Sequence, residues 1–211
     1  MIPLHPYGLY AITNGPRADL LDAADQALAG GARLLQYRDK TTDAPRRLAE
    51  AMALRQLCST HGVPLIINDD VALAHATQAD GVHLGERDDG IAAARAIMGG
   101  QAIIGVSCYN VPERARAAAA AGASYLAFGA FFASPTKPLA PHASPDLLRQ
   151  SAALGLPLVA IGGITPDNGG SLIDAGADYL AVISAVFGAA DVRGAAQSFT
   201  DLYSSHREPR P

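Results

Sequence analysis

The sequence predicts an α/β fold, a single parallel (β/α)8 (TIM) barrel, and three observations carry that expectation. Short apolar runs that suit strands buried on both faces recur along the 211 residues. Ala-rich stretches of helical character separate successive runs. Four segments also repeat one pattern: Gly31-Ala32-Arg33-Leu34-Leu35, Ala79-Asp80-Gly81-Val82-His83-Leu84, Gly122-Ala123-Ser124-Tyr125-Leu126-Ala127 and Gly176-Ala177-Asp178-Tyr179-Leu180-Ala181. Each reads as a helix stop followed by a strand, because a glycine just past a helix takes the left-handed conformation that ends it.

In order along the chain, strands are expected at 8–12, 33–37, 64–67, 80–84, 102–106, 124–129, 157–161 and 178–182. The repeat averages about 24 residues, enough for a strand, a short helix and two loops. Alternating βα units imply a parallel sheet, and eight of them can close it. The alternative is an open doubly wound sheet, which would carry a GxGxxG fingerprint after the first strand. There the chain reads Thr13-Asn14-Gly15-Pro16, a turn without that pattern. One domain over 1–211 is expected, with frayed ends at about 1–6 and 205–211.

Composition narrows the function classes. A net charge of −4 offers no broad basic face for a nucleic-acid backbone or an anionic membrane, so an anion must be bound locally. The two cysteines, Cys58 and Cys108, form no CxxC pair, which fits a reducing compartment without a disulfide framework. The start, Met1-Ile2-Pro3-Leu4-His5-Pro6, has no basic region leading into an apolar one, and no apolar run reaches the ~18 residues of a membrane span. A cytoplasmic location is the expectation.

In such a barrel, chemistry collects at the carboxyl ends of the strands. After strand two, Gln36, Arg38 and Lys40 alternate toward one side if the strand continues, against the alternative of solvated loop charges. Asp69 and Asp88 follow strands three and four, and hard oxygen ligands without paired Cys or His suit Mg²⁺ better than Zn²⁺. Asp70 and Asp88 also precede helical stretches and could simply cap them. Ser107-Cys108 ends strand five. After strand six, the hydroxyls of Ser134 and Thr136 flank a stiff Pro135, with Lys137 directly behind. Gly162-Gly163 after strand seven and Ser184 after strand eight stand where barrels bind phosphate on backbone N–H groups. Two anion sites follow: a cationic, metal-assisted one around Arg38, Lys40, Lys137, Asp69 and Asp88, and a neutral one around Gly163 and Ser184.

The segments Gln36-Tyr37-Arg38-Asp39-Lys40, Asn68-Asp69-Asp70, His83-Leu84-Gly85, Ser134-Pro135-Thr136-Lys137 and Ile161-Gly162-Gly163-Ile164 resemble the thiamine-phosphate synthase family, and the likeness runs from about Tyr10 to Phe199. The resemblance implies a transferase that joins a pyrimidine diphosphate to a thiazole phosphate and releases pyrophosphate by a dissociative route. It implies that Gln36, Tyr37, Arg38, Asp39, Lys40, Asn68, Ser107 and Lys137 contact the pyrimidine diphosphate, and that Arg38, Lys40, Lys137 and Ser107 serve the chemistry. Asp69 and Asp88 would hold Mg²⁺, and Ser134, Pro135, Thr136, Gly163, Ile183 and Ser184 would hold the thiazole phosphate. Glu86-Arg87 and Ala133 depart from residues common in the family. The implied partners are small phosphorylated molecules, without nucleic acid or membrane, and a homo-oligomer is left open. A thiazole tautomerase or another phosphate-binding barrel isomerase would leave Arg38, Lys40, Asp69 and Asp88 without purpose. A non-catalytic phosphate-binding module is the rival from another class.

Overall fold

The computed structural model describes residues 1–85, 90–133 and 143–206. Strands and helices alternate as β1 (Gly8–Ile12), α1 (Leu20–Ala29), β2 (Leu34–Tyr37), α2 (Ala44–His61), β3 (Leu65–Asn68), α3 (Val71–Ala76), β4 (Gly81–Leu84), α4 (Ile91–Met98) and β5 (Ile103–Tyr109). They continue as α5 (Pro112–Ala120), β6 (Tyr125–Gly129), α6 (Pro145–Ser151), β7 (Leu158–Ile161), α7 (Pro166–Asp174), β8 (Tyr179–Val182), α8 (Ser184–Phe187) and α9 (Val192–His206). The strands form one closed barrel in chain order, all pairs parallel, and β1 meets β8 with Gly8 opposite Tyr179 and Ala11 opposite Val182. The expected (β/α)8 architecture is the observed one. Only β5 departs appreciably from its expected span, running on to Tyr109 through a register shift against β6 between Ser107 and Tyr109. An extra residue bulges out there and carries the strand further along the rim.

Alternation along each strand divides the core in two. Tyr10, Ile12, Leu34, Ile66, Ile103, Tyr125, Val159 and Tyr179 pack together inside the barrel. Leu9, Ala11, Leu35, Ile67, Val82, Ile104, Leu126, Ala160 and Leu180 face the helices, where small Ala23, Ala27, Ala51 and Ala196 let helix and sheet approach closely. Glycine makes room for the interior tyrosines. A Cβ on Gly105 would stand 1.9 Å from Cζ of Tyr125, so the phenol lies directly over the β5 backbone.

The four-fold sequence pattern has a structural cause at the amino-terminal base of the barrel. Gly31, Gly122 and Gly176 carry positive φ of 97°, 87° and 105° where helices end, and Gln78 takes the corresponding turn at φ 52°. The residue just before an even-numbered strand then ties down the preceding odd-numbered one. Asp80 donates its N–H to Leu65 O and accepts the Leu65 N–H on Oδ2 at 3.0 Å. Asp178 does the same for Leu158, and Ser124 for Ile104. These side chains satisfy N–H groups at the first or second residue of each odd-numbered strand, at the base of the barrel.

Two contacts reach the first residues of the chain. Asp80 Oδ1 accepts the Ile2 N–H at 2.8 Å, and the Tyr179 hydroxyl donates to His5 O. At the other end His206 pairs with Asp174 at 2.9 Å. No helix among the described residues is long and apolar enough to cross a membrane.

Candidate active site

A chain of polar side chains crosses the barrel interior. Gln36 Nε2 donates to Tyr10 Oη at 2.6 Å, and Tyr10 Oη lies 2.7 Å from Tyr125 Oη. Tyr125 Oη is 2.9 Å from His83 Nδ1, and His83 Nε2 is 2.8 Å from Ser107 Oγ. His83 and Tyr125 stack with their rings 19° from parallel. Gln36, Tyr10 and Tyr125 are fully enclosed, whereas His83 and Ser107 are partly exposed toward the carboxyl-end rim. Burial lowers the His83 imidazole to about 4, so it is neutral at physiological pH, and desolvation drives the phenols of Tyr10 and Tyr125 above their ordinary range.

The β2 end separates the residues that sequence alternation groups. Gln36 faces the interior, Arg38 is half-buried and Lys40 is exposed, and β2 stops at Tyr37, so the strand does not run on through 38 and 40. Thr13, buried at the end of β1, pins this segment by accepting the Arg38 N–H at 2.8 Å and donating to Arg38 O at 3.3 Å. Tyr37 points the other way, against α2, and donates to Glu50 at 2.6 Å. Asp39 also faces α2. Burial raises its carboxyl, but the Thr41 N–H and the Arg46 guanidinium outweigh that and hold it below the usual carboxylate value. Arg46 Nη1 stands 2.7 Å from Asp39 Oδ2, yet its N–H groups are directed at Glu50 and Thr41. The Tyr37 and Asp39 side chains thus tie the loop to α2 and Thr41.

At the β3 end Asn68 Nδ2 donates to Asp69 Oδ2 at 2.7 Å, and Asp69 sits at φ +62°. A non-glycine residue in that region is uncommon and concentrates at functional sites. Asp70 divides from it: its Oδ1 caps α3 through the Leu73 N–H, and its Oδ2 pairs with Arg47 at 2.9 Å. The capping reading holds for Asp70, while Asp69 stays exposed on the rim. Among the described residues no group of three metal-ligating side chains gathers. The expected partner of Asp69, Asp88, lies outside the described residues, as do Glu86, Arg87, Ser134, Pro135, Thr136 and Lys137.

Arg114 of α5 joins the β4 and β5 ends, donating to Ser107 O at 2.6 Å and Gly85 O at 2.5 Å. Cys108, next to Ser107, is fully buried and its thiol is pushed up to about 11 by desolvation, which keeps it protonated at neutral pH. On the far side of the rim Gly162 (φ +107°) and Gly163 (φ +63°) make a turn that only glycine fits; a Cβ on Gly163 would stand 2.5 Å from Ala133 O. Ile183 precedes α8, and Ser184 opens it at an exposed position.

The sequence reading singles out Gln36 and Ser107 but passes over Tyr10, Tyr125, His83 and Arg114. Tyr10 and Tyr125 read as apolar strand residues, and only three-dimensional closure brings β1, β4, β5 and β6 around one interior. His83 had a signal: a polar residue within an apolar run at the interior phase of β4.

A closed parallel barrel with a buried polar chain opening on one rim of cations, a strained acid and a glycine turn defines a (β/α)8 barrel enzyme. The chain belongs to the thiamine monophosphate synthase family, which matches residues 9–186. It is 58% identical to the thiamine-phosphate synthase of Xanthomonas campestris over 91% of this chain and 93% of that protein, and 56% identical to that of Azoarcus sp. over 93% and 97%. Its structure is similar to the thiamine phosphate pyrophosphorylase of Pyrococcus furiosus, with a TM-score of 0.85, 35% identity and coverage of 95% of this chain and 96% of that one. The enzyme thus serves thiamine phosphate synthesis.

Proposed function

We propose that the enzyme joins 4-amino-2-methyl-5-(diphosphooxymethyl)pyrimidine to 4-methyl-5-(2-phosphooxyethyl)thiazole, giving thiamine phosphate and pyrophosphate. The observation that carries this reading is the division of the rim. Arg38, Lys40 and Asp69 stand after β2 and β3, and the Gly162-Gly163 turn with Ile183 and Ser184 stands after β7 and β8. A dianionic phosphate suits the neutral backbone turn, and the more highly charged diphosphate suits the cations.

The pyrimidine lies against the interior polar chain, with Gln36 and Ser107 on its edges and Asn68 beside it. Arg38, Lys40 and Lys137 take up charge on the departing diphosphate. The bond between the pyrimidine methylene carbon and the diphosphate oxygen breaks with its electron pair leaving on oxygen. The thiazole nitrogen lone pair then forms the new C–N bond, so no protein nucleophile enters. Thr136 and Ser134 beside Pro135, with Gly163, Ile183 and Ser184, hold the thiazole phosphate so that its nitrogen faces the carbocation. The exposed carboxylate of Asp69, with no thiolate or second imidazole in the rim set, has the hard-oxygen character that fits Mg²⁺, and Asp88 would complete the protein's share. When bound, that ion supplies charge neutralisation to the leaving diphosphate.

Incubation with both phosphorylated substrates and Mg²⁺, followed by assay of pyrophosphate and of thiamine phosphate, tests the reading. Equimolar appearance of both products is expected. Absence of thiamine phosphate and pyrophosphate with both substrates and Mg²⁺ present would overturn it.

A further inference from the structure

The interior chain has a direction, and that direction fixes what Ser107 can offer a ligand. Gln36 Nε2 can only donate, so Tyr10 Oη accepts from it at 2.6 Å. Tyr10 is enclosed, and among the described residues the acceptor for its own proton is Tyr125 Oη at 2.7 Å. Tyr125, equally enclosed, has accepted that proton's bond and must send its own to His83 Nδ1 at 2.9 Å. The opposite order would leave a phenolic proton buried without an acceptor, which costs more than a hydrogen bond contributes. Nδ1 of His83 therefore carries no proton and Nε2 carries the only one. Nε2–H donates to Ser107 Oγ at 2.8 Å, and the Ser107 hydroxyl proton is left pointing away from the chain.

From this geometry we infer that His83 is a positioning residue: held by Tyr125 as the Nε2–H tautomer, it commits the Ser107 hydroxyl to act as a hydrogen-bond donor toward an acceptor nitrogen of the bound heteroaromatic ring. The inference deepens the proposed function, since it rests on Ser107 lying against the pyrimidine edge. An imidazole with either tautomer available would let Ser107 donate back to the ring and become an acceptor. A ligand presenting an N–H where the native one presents a bare nitrogen would then be accommodated equally well. The chain selects against it because two donors would face each other. Gly105 serves the same end by leaving the space over which the Tyr125 ring lies.

Nitrogen-15 NMR of the imidazole-labelled, ligand-free enzyme reads the tautomer directly. The His83 Nδ1 resonance is expected at the position of an unprotonated nitrogen, with a directly bonded proton on Nε2. An Nδ1–H tautomer, or an even mixture, overturns the inference whatever the enzyme catalyses. The second arm compares the pyrimidine diphosphate with analogues in which one ring nitrogen at a time is replaced by C–H, in wild type and in Tyr125→Phe. Wild type should lose about tenfold or more in kcat/KM with one of the analogues, the worth of a well-made hydrogen bond. Tyr125→Phe keeps the ring over Gly105 and should shrink that discrimination at least threefold. Equal discrimination in the two proteins overturns the inference. Failure of the wild type to form thiamine phosphate would sink the functional reading instead, and the spectrum still decides the tautomer.

Discussion

At the residue scale the barrel interior depends on a few positions where one heavy atom decides the outcome. Gly105→Ala would place a Cβ on the Tyr125 ring, so the phenol must move and the links from Tyr10 to His83 part. A loss of about 1–3 kcal/mol of stability is expected from such overpacking, measured as a lower urea midpoint, with turnover reduced more than the midpoint alone explains. Cys108→Ala is the contrasting case. Its thiol is buried and held protonated, so activity should persist, and mass spectrometry after turnover should show no substrate adduct on Cys108; an adduct would replace the dissociative route with a covalent one. Asp39 gives the pH dependence. Its native carboxyl titrates below the unfolded value of 3.8, so its contribution is complete above that pH and is lost as the pH falls through the lower native value. The stability gap between wild type and Asp39→Asn should be open at pH 6 and narrow as the pH falls below 3.8; a gap that widens in acid would contradict the assignment. Gln36 and Ser107 were legible because polar residues at strand ends stand out. Tyr10 and Tyr125 were not, because a tyrosine in an apolar strand run reads as packing until the chain closes and its hydroxyl finds a partner 115 residues away.

At the element scale the repeated base motif shows why the strand positions were so readable. A positive-φ residue stops the helix, and the next polar side chain locks the neighbouring strand, so local propensity and barrel register agree at the same residues. Asp178→Ala would leave the Leu158 N–H without its 2.8 Å acceptor at the base of the barrel and should cost about 1–3 kcal/mol. Asp178→Asn retains an acceptor oxygen and should recover most of that loss in the same urea titration, whereas equal losses for both would mean that charge and not the hydrogen bond matters there. The reach of β5 was less readable. A bulge between Ser107 and Tyr109 is a property of its pairing with β6 and leaves no mark in the apolar pattern of β5 alone. The turn of Tyr37 and Asp39 toward α2 was hidden for a related reason. Alternation says that they face away from the interior, but not that Arg46 and Glu50, a helix away in sequence, wait there to receive them.

At the scale of the whole molecule, closure of the barrel carries every strand end to one rim, so residues far apart in sequence share a field. Arg38 and Lys40 bring positive charge, Asp69 brings negative charge, and a diphosphate arriving beside Asp69 would be repelled by it unless a cation stood between them. That conflict is the physical reason to assign Mg²⁺ to Asp69, and it makes the assignment testable without disturbing the fold. Asp69 sits at φ +62°, where asparagine is at least as comfortable as aspartate, so Asp69→Asn keeps both the size of the side chain and its backbone conformation. The substitution removes little besides the charge. Chelation of divalent ions should abolish pyrophosphate release by the wild type, and added Mg²⁺ should restore it. Asp69→Asn should need roughly tenfold or more Mg²⁺ for half-maximal rate, on the scale of one lost charged ligand, while its urea midpoint stays within about 0.5 kcal/mol of wild type. If the Mg²⁺ requirement were unchanged, the charge of Asp69 would have to be balanced by protein cations such as Arg38 and Lys40. The variant, freed of that balance, would then hold the diphosphate more tightly than wild type, which a lower KM for the pyrimidine substrate would reveal.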